Sequence, residues 1–203
     1  MKDYPSIPGA SEVRLGEKGI AFYKYDGSNL RWEWSKKRGF YKFGTRTRLF
    51  DVSDEQFGDA ISLFFEGGYA SSLEHLIKQN WRVDSAIAYT EYFGFSSFAG
   101  NHIKDESKRL ALIDLNIHRQ GFLSPREFTK LPLSFLAEVV YDGTINKSFV
   151  EAVKTNTVEN FPLNEGVVIK YGAGHKLFRV KVKTAEYLEK LKFRFGNEWE
   201  KYA

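Results

Sequence analysis

The sequence predicts an α+β fold, in which antiparallel strands pack against helices. Some segments alternate apolar with polar residues or are rich in aromatic and β-branched residues, which is typical of strands. Other segments carry apolar residues at helical spacing, and the predicted strands come in runs. With 203 residues, 42% of them hydrophobic and 28% charged, the chain suits one folded domain, residues 1–203, with one sizeable core.

The first 80 residues are predicted to hold three strands followed by two helices. The predicted strands are 18–25, 29–34 and 39–43. Their aromatic and alternating pattern indicates an antiparallel meander. Helical spacing then predicts helices over 53–68 and 71–80, with Ser53 as the N-cap of the first and Gly67-Gly68 as its end.

The rest of the chain is predicted to be mostly strands, interrupted by three helices. The predicted strands are 82–94, 109–117, 135–140, 165–172 and 176–183. Ser124, Pro125 and Glu127 have the spacing of a capping box, which predicts a short helix there. Further helices are predicted near 145–156 and over 184–195. The predicted hairpin turns are Asp142-Gly143 and 172–174.

The positive charge of the chain is concentrated in one segment. The formal net charge is +4, and residues 35–50, here called the basic segment, carry six cations and no acid. These cations are Lys36, Lys37, Arg38, Lys42, Arg46 and Arg48. The remaining residues therefore hold 24 of the 30 basic side chains against all 26 acidic ones, a balance of −2. The segment is either a solvated hairpin tip or a patch that binds phosphates.

The composition also limits the chemistry and the compartment. The chain has no cysteine, which excludes disulfides and thiolate metal sites and fits a reducing compartment. The first residues lack the hydrophobic core of a signal peptide, and no apolar run approaches membrane-spanning length. We therefore expect a cytoplasmic protein with no membrane partner.

Several predicted strands carry charged residues in places that packing alone does not explain. Glu91 falls on the same face of its strand as Tyr89 and Phe93, so this carboxylate must be paired or must line a cleft. Glu165 and Lys170 bracket an apolar run and would face opposite sides of a regular strand, which places Glu165 at the entrance of that strand. In the last strand, three cations alternate with three apolar residues and form a cationic face. These cations are Arg179, Lys181 and Lys183.

A lysine near the N-terminus precedes a tight turn. Lys24 stands before Asp26-Gly27, which Ser28 and Asn29 follow. Taken alone, this pattern is either an ordinary hairpin corner with a solvated lysine or a turn that aims the amine at a ligand.

Five segments, in this order along the chain, resemble the motifs of the covalent nucleotidyltransferases, which include ATP-dependent RNA and DNA ligases and capping enzymes. They are KYDGSN at 24–29 (motif I), YTEYFG at 89–94 (motif III), ALIDL at 111–115 (motif IIIa), EGVVIK at 165–170 (motif IV) and KVK at 181–183 (motif V). The resemblance spans residues 20 to 184. It implies an ATP-grasp-like nucleotidyltransferase domain, whose antiparallel sheets and flanking helices form a nucleotide cleft. Asn29 and TRTR at 45–48 resemble the RNA ligase 2 type, since DNA ligases usually have Arg where Asn29 stands.

The resemblance implies that Lys24 attacks the α-phosphorus of ATP and becomes linked to AMP. We expect burial and the nearby Lys181 and Lys183 to lower the pKa of Lys24, because an ammonium has no free electron pair. The same cations would neutralise the triphosphate together with Mg²⁺ or Mn²⁺, and Lys183 is the better candidate for the α-phosphate.

The other site residues follow from the same resemblance. Glu91 would bind the ribose hydroxyls, and Glu165 would organise the lysine or its metal ion. Arg46 and Asn29 would contact sugar or phosphate groups, and Lys170 would lie near the phosphates.

The chain departs from the family pattern in three places. Ile113 stands where the family usually has an aromatic residue that stacks on adenine, so we expect an aliphatic contact. Tyr23 stands where related RNA ligases often have an acid that reads the adenine edge. About twenty residues follow motif V, which predicts no separate C-terminal nucleic-acid-binding domain. Sealing is then either inefficient or dependent on a partner protein.

The function implied by the resemblance is that of an ATP-dependent RNA ligase in RNA repair. It would pass AMP from Lys24 to an RNA 5′-phosphate and then join that end to a 3′-hydroxyl, releasing AMP. The alternatives are a DNA ligase or an end-adenylating enzyme, and a non-catalytic relative that binds RNA through the basic segment.

Overall fold

The computed structural model describes residues 4–95 and 106–202, which form two antiparallel sheets flanked by helices. The strands are β1 Lys18–Lys24, β2 Gly27–Ser35, β3 Gly39–Gly44, β4 Leu49–Phe50, β5 Ser85–Phe93, β6 Arg109–Ile117, β7 Gly121–Phe122, β8 Val139–Thr144, β9 Gly166–Tyr171 and β10 Phe178–Lys183. The helices are α1 Gly58–Glu66, α2 Tyr69–Asn80, α3 Pro125–Phe128, α4 Lys147–Lys154 and α5 Ala185–Phe195, with 3-10 turns at Ala10–Glu12 and Gly196–Lys201. The predicted α+β class is confirmed.

The first strand does not pair with the second, so the predicted meander is wrong at this point. The smaller sheet has the order β10-β9-β1-β8, and the larger has the order β4-β3-β2-β5-β6-β7. The chain crosses from one sheet to the other at 25–26. Both faces of β1 are buried, with Phe22 in one core and Ala21 in the other, and such a strand needs neighbours on both edges and packing on both faces.

Two hydrophobic cores hold the sheets and helices together. In the larger core, α1 and α2 pack on the six-stranded sheet, and the ring of Trp32 stacks on Phe64 with centroids 3.9 Å apart. The smaller core lies between the four-stranded sheet and α4, whose Phe149, Val150 and Val153 are buried there. Burial of these apolar surfaces fixes the two sheets, and with them the space between the sheets.

Helix α1 begins later than its sequence predicts. It starts at Gly58, and Ser53 is not its N-cap. The Asp54 carboxylate instead accepts the backbone N–H groups of Gln56 and Phe57, at 3.0 and 2.9 Å. These hydrogen bonds favour a turn over 53–57, because an Asp side chain competes with the helical pattern of backbone bonds.

The capping box at the start of α3 is confirmed. The Ser124 Oγ accepts the Glu127 N–H at 3.2 Å, and the Glu127 Oε2 accepts the Ser124 N–H at 2.8 Å. The hairpin turn between β9 and β10 is confirmed too, with Gly172 and Gly174 both at positive φ.

The predicted turn at Asp142-Gly143 is wrong, because both residues lie inside β8 and pair with β1. Strand β8 accordingly covers 139–144 rather than 135–140. It lies at an edge of its sheet, where an exposed Asp is tolerated since one side of the strand faces solvent.

Candidate active site

A cavity of about 600 Å³ lies between the two sheets. Strands β1, β9 and β10 of the smaller sheet line one side, and β2, β5 and β6 of the larger sheet line the other. The β3–β4 turn at 45–48 and the N-terminal segment 4–7 complete the wall. The volume is in the range of sites that hold a small ligand.

Three of the predicted catalytic residues meet where Lys24 borders this cavity, although Glu165 and Lys183 are not among its lining residues. Lys24 is the last residue of β1, and its Nζ lies 2.8 Å from Oε1 of Glu165. The Nζ of Lys183, the last residue of β10, lies 3.0 Å from the same oxygen. Glu165 directly precedes β9, as predicted, and its side chain is buried. The carboxylate is therefore held between two ammonium groups.

The register of three strands produces this arrangement. Gly166 begins β9 and stands opposite Lys24 of β1 on one side and Lys183 of β10 on the other. Its φ is +148°, and a Cβ atom there would lie 2.0 Å from the carbonyl oxygen of Val182. Only glycine fits this close approach, which explains why Gly follows Glu165.

The predicted lowering of the Lys24 pKa is wrong in this structure. Burial by itself lowers the pKa of Lys24, but the negative charges of Glu165, Glu91 and Asp26 outweigh burial and raise the pKa above its usual value. The sequence pattern points to the cations near Lys24, whereas the fold also brings these three carboxylates to it. Lys24 is therefore an ammonium that pairs with the buried Glu165 carboxylate, and its own side chain is 21% exposed.

Glu91 and Asn29 face the cavity from the larger sheet, on neighbouring strands in register. Burial, followed by the charges of Glu165 and Asp26, raises the pKa of Glu91 to about 8 against the opposing effect of Lys24. The Asn29 Oδ1 is buried and has no hydrogen-bond partner among the residues that the structure describes. A buried acceptor without a donor is costly, so this atom fits a ligand that brings a hydroxyl or an amine.

Lys181, rather than Lys183, borders the cavity. The Nζ of Lys183 also donates to the Tyr202 carbonyl at 2.6 Å, and its side chain is buried. Burial lowers the pKa of Lys181, and the charges of Lys183, Lys24 and Arg46 lower it further. Arg46 also borders the cavity. The structure thus favours Lys181 over Lys183 as the cation that faces a bound anion.

Lys170 lies at the other end of β9, and its amine is held by Asp114. The Lys170 Nζ is 2.9 Å from Asp114 Oδ1 and also donates to the Ile113 carbonyl. Four residues of strand, or about 13 Å, separate Lys170 from Gly166 at the Lys24 end. The amine is therefore not positioned for phosphates at the Lys24 end, contrary to the prediction.

The Asp114 carboxylate is the centre of a buried network. Its Oδ2 accepts hydrogen bonds from the Tyr4 hydroxyl at 2.5 Å and from the Arg179 Nε at 2.9 Å. Burial raises the pKa of Asp114, but Lys170 and Arg179 outweigh burial, and the net shift is downward. The network joins the N-terminal segment to β6, β9 and β10.

The part of the cavity near Lys170 is apolar. Ile113, Phe22, Ala137 and Val168 border it, and the aliphatic contact of Ile113 with a base stays a prediction. This surface suits the flat face of a base better than it suits a charged group.

Tyr23 borders the cavity, but its ring points to the opposite side of β1. The ring packs against Tyr25, with centroids 4.9 Å apart, and its hydroxyl accepts the Asn164 backbone N–H at 3.1 Å. The side chain is thus not available to read a base, because alternate residues of a strand face opposite sides.

The sequence reasoning missed the N-terminal segment 4–7 as part of the site. Tyr4 is buried, and the carbonyl of Pro8 accepts the Lys181 N–H at 2.9 Å, so this segment is fixed beside β10. Its signal in the sequence was weak, since residues 4–8, which include two prolines, have neither strand nor helix periodicity.

A metal ion could be held here only together with a ligand. Among residues 4–95 and 106–202, no group of three or more His, Cys, Asp or Glu side chains is placed to hold a metal. Glu165 fits as one oxygen donor, and Mg²⁺ is commonly bound by one or two carboxylates together with substrate phosphates.

None of the helices in the described part of the chain is long and apolar enough to cross a bilayer.

Comparison with known proteins relates the chain to solved RNA ligase structures. No family model and no curated sequence matches it. A mutant of Naegleria gruberi RNA ligase with AMP and Mn has a TM-score of 0.70 at 17% identity, covering 94% of this chain and 58% of that chain. Another mutant, with ATP and Mn, has a TM-score of 0.70 at 17% identity, covering 92% and 57%.

The same ligase with PPi has a TM-score of 0.66 at 19% identity, covering 89% of this chain and 53% of that chain. The chain spans little more than half the length of these structures. It has the fold that they share, the nucleotidyltransferase fold of RNA ligases, with two antiparallel sheets flanked by helices.

Proposed function

We propose that this protein is an ATP-dependent RNA ligase of the RNA ligase 2 type, with Lys24 as the residue that carries AMP. The observation that supports this most directly is that Lys24 borders a cavity in an RNA ligase fold while its amine contacts the Glu165 carboxylate, which also contacts Lys183. The ATP, AMP and Mn in the related structures agree with this function.

In the first step, the Lys24 amine forms a bond to the α-phosphorus of ATP while the bond to the pyrophosphate oxygen breaks. The electron pair of the broken bond leaves with pyrophosphate. Lys24 must first lose a proton to solvent, which its ion pair with Glu165 opposes. Mg²⁺ or Mn²⁺, held by Glu165 together with phosphate oxygens, would supply the positive charge that lowers the pKa of Lys24.

The remaining cavity residues suit the other parts of ATP. Lys181 and Arg46 offer positive charge to the phosphates. Asn29 offers an acceptor to a ribose hydroxyl, and the neighbouring Glu91 offers a second oxygen-bearing group. The apolar wall around Ile113 suits the adenine ring.

In the later steps, an RNA 5′-phosphate displaces Lys24 from the AMP, and a 3′-hydroxyl then displaces AMP from the activated end. Each displacement forms one phosphorus–oxygen bond and breaks one bond from phosphorus to its leaving group. Arg46 and the exposed turn around it lie at the border of the cavity, where an acceptor strand can approach.

The first test is the mass of the protein after incubation with ATP and Mg²⁺ or Mn²⁺. We expect wild type to gain the mass of one AMP and Lys24→Ala to gain none. Lys18→Ala, an exposed lysine of the same strand, is the matched control and should retain the adduct. The proposal is wrong if wild type forms no adduct, and the assignment of Lys24 is wrong if the adduct survives Lys24→Ala.

A second test separates the alternatives for the later steps. The adenylated protein is incubated with nicked duplexes of RNA, of DNA and of the two hybrids. Sealed RNA supports the proposal, sealed DNA alone indicates a DNA ligase, and AMP-capped ends without sealing indicate an end-adenylating enzyme. RNA binding with no adduct on any residue indicates a non-catalytic relative. If the ends are AMP-capped but not sealed, the assay is repeated with a partner protein, because only then can a partner restore the missing sealing step.

A further inference from the structure

The tertiary structure divides the basic segment into two clusters at opposite ends of β3. Lys36, Lys37 and Arg38 lie in the turn between β2 and β3, here called the hairpin tip, and all three are exposed. Arg46 and Arg48 lie in the β3–β4 turn, which borders the cavity. The segment is therefore a solvated hairpin tip at one end and part of the site at the other.

The hairpin tip holds positive charge that the described protein does not neutralise. Arg48 is paired with Asp54, and Lys42 lies 3.6 Å from Glu33. Within residues 4–95 and 106–202, no acidic side chain forms an ion pair with any residue of the hairpin tip. Three adjacent cations without acids repel one another, and an external polyanion would relieve this repulsion.

An acid near the hairpin tip does not change this conclusion. Glu74 of α2 approaches Gly39, but its Oε1 lies 2.7 Å from Lys78 Nζ in an ion pair of its own. The hairpin tip therefore remains a surface of net positive charge.

An aromatic side chain stands beside these cations. Tyr41 is 41% exposed, and the Arg38 guanidinium lies 5.4 Å from the centre of its ring. Exposed aromatic rings next to cations are used by proteins that bind nucleic-acid strands, since a base can stack on the ring while the cation meets a phosphate.

The distance between the clusters matches a short run of nucleotides. Strand β3 extends from Gly39 to Gly44, five residue steps, or about 17 Å. Successive phosphates of one strand of duplex DNA are about 3.4 Å apart along the axis, and on this scale the length corresponds to roughly five nucleotides.

We propose that the hairpin tip and Tyr41 bind the acceptor RNA about five nucleotides from the join, while Arg46 and the cavity hold the join itself. This inference rests on the proposed function and adds a second contact to it. The hairpin tip has no part in the reaction with ATP.

The test measures RNA binding without ATP, so that it does not depend on catalysis. The variant is Lys36→Ala/Lys37→Ala/Arg38→Ala, and the probe is a labelled nicked RNA duplex with arms of about ten base pairs. We expect the variant to bind about tenfold more weakly at low salt, with the slope of log K against log salt reduced by about 2 to 3. The matched control, Lys130→Ala/Lys147→Ala/Lys176→Ala, removes the same charge from exposed sites elsewhere and should keep the wild-type slope.

Two further arms locate the contact. Wild type should prefer arms of about ten base pairs over arms of three, and the hairpin-tip variant should lose this preference. On a probe whose acceptor arm carries an unpaired base about five nucleotides from the join, Tyr41→Ala should weaken binding without changing the salt slope, because stacking on that base releases no counterions, whereas Tyr41→Phe should bind like wild type.

Equal losses of slope in the hairpin-tip variant and in the control would overturn the inference, since both would then reflect non-specific attraction. It would also be overturned if the variant bound RNA normally but lost binding to phosphatidylserine vesicles. The variant should still form the AMP adduct. Absence of the adduct in wild type would contradict the proposed function. The RNA-binding measurements would still test the contact at the hairpin tip, because they are made without ATP.

Discussion

Replacing Asp114 with Asn should destabilise the protein strongly, because this carboxylate neutralises two buried cations. Its side chain is 2% exposed and ion-pairs with Lys170 and Arg179, each at 2.9 Å. Asn keeps the shape but removes the charge, and breaking a buried pair in this way costs about 3–5 kcal/mol. For a chain of this size, each kcal/mol lowers Tm by about 2–4 °C, so we expect a loss of roughly 10 °C.

Urea unfolding followed by tryptophan fluorescence measures this change. The midpoint should fall at an unchanged m-value, since the folded state should bury the same surface. Asp142→Asn is the control, because Asp142 is exposed and lies 3.9 Å from Arg126, and it should change stability by less than about 1 kcal/mol. A loss below 1 kcal/mol for Asp114→Asn would refute the reasoning, since Lys170 and Arg179 would then not depend on this carboxylate.

Two other predictions concern the Lys24 end of the cavity. Because the pKa of Glu91 is raised to about 8, the folded state binds a proton that the unfolded chain has lost, and stability should fall as pH rises from about 4.5 to 8. Glu91→Gln should reduce this loss of unfolding free energy by about 3 kcal/mol. Urea unfolding of both proteins at pH 5 and at pH 8 measures the loss, and an equal loss in wild type and variant would contradict the prediction. Gly166→Ala should cost about 2 kcal/mol more than Gly16→Ala, since both glycines have positive φ but a Cβ atom meets protein only at Gly166. Thermal melts of the two variants compare them, and equal losses would show that the close approach to Val182 is unimportant.

The sequence was sufficient to predict most elements, and its resemblance to the covalent nucleotidyltransferases implied the convergence at the Lys24 end. The strands around Lys24, Glu165 and Lys183 have local periodicity that predicts them, and the ends of these strands come together in the structure. Side-chain spacing within a strand depends on neighbouring residues only, so the alternation of cations and apolar residues in 178–183 could be predicted directly.

The pairing of strands could not be predicted in the same way. Whether β1 pairs with β2 or with strands more than a hundred residues later depends on which arrangement covers both of its faces. The basic segment is continuous in sequence, yet β3 separates its cations into a cluster at the cavity and a cluster at the hairpin tip.

The residue types that can carry the chemistry are visible in the sequence, namely a lysine before a glycine turn, two carboxylates and a cationic strand. Their electrostatics depend on the folded chain. The pKa of Lys24 depends on Glu165, Glu91 and Asp26 together, and Asp114 is ionised because Tyr4, Lys170 and Arg179 reach it from three distant parts of the chain. Local propensity is a property of adjacent residues, whereas the electrostatic field at a buried group is the sum over every charge that the fold brings near it.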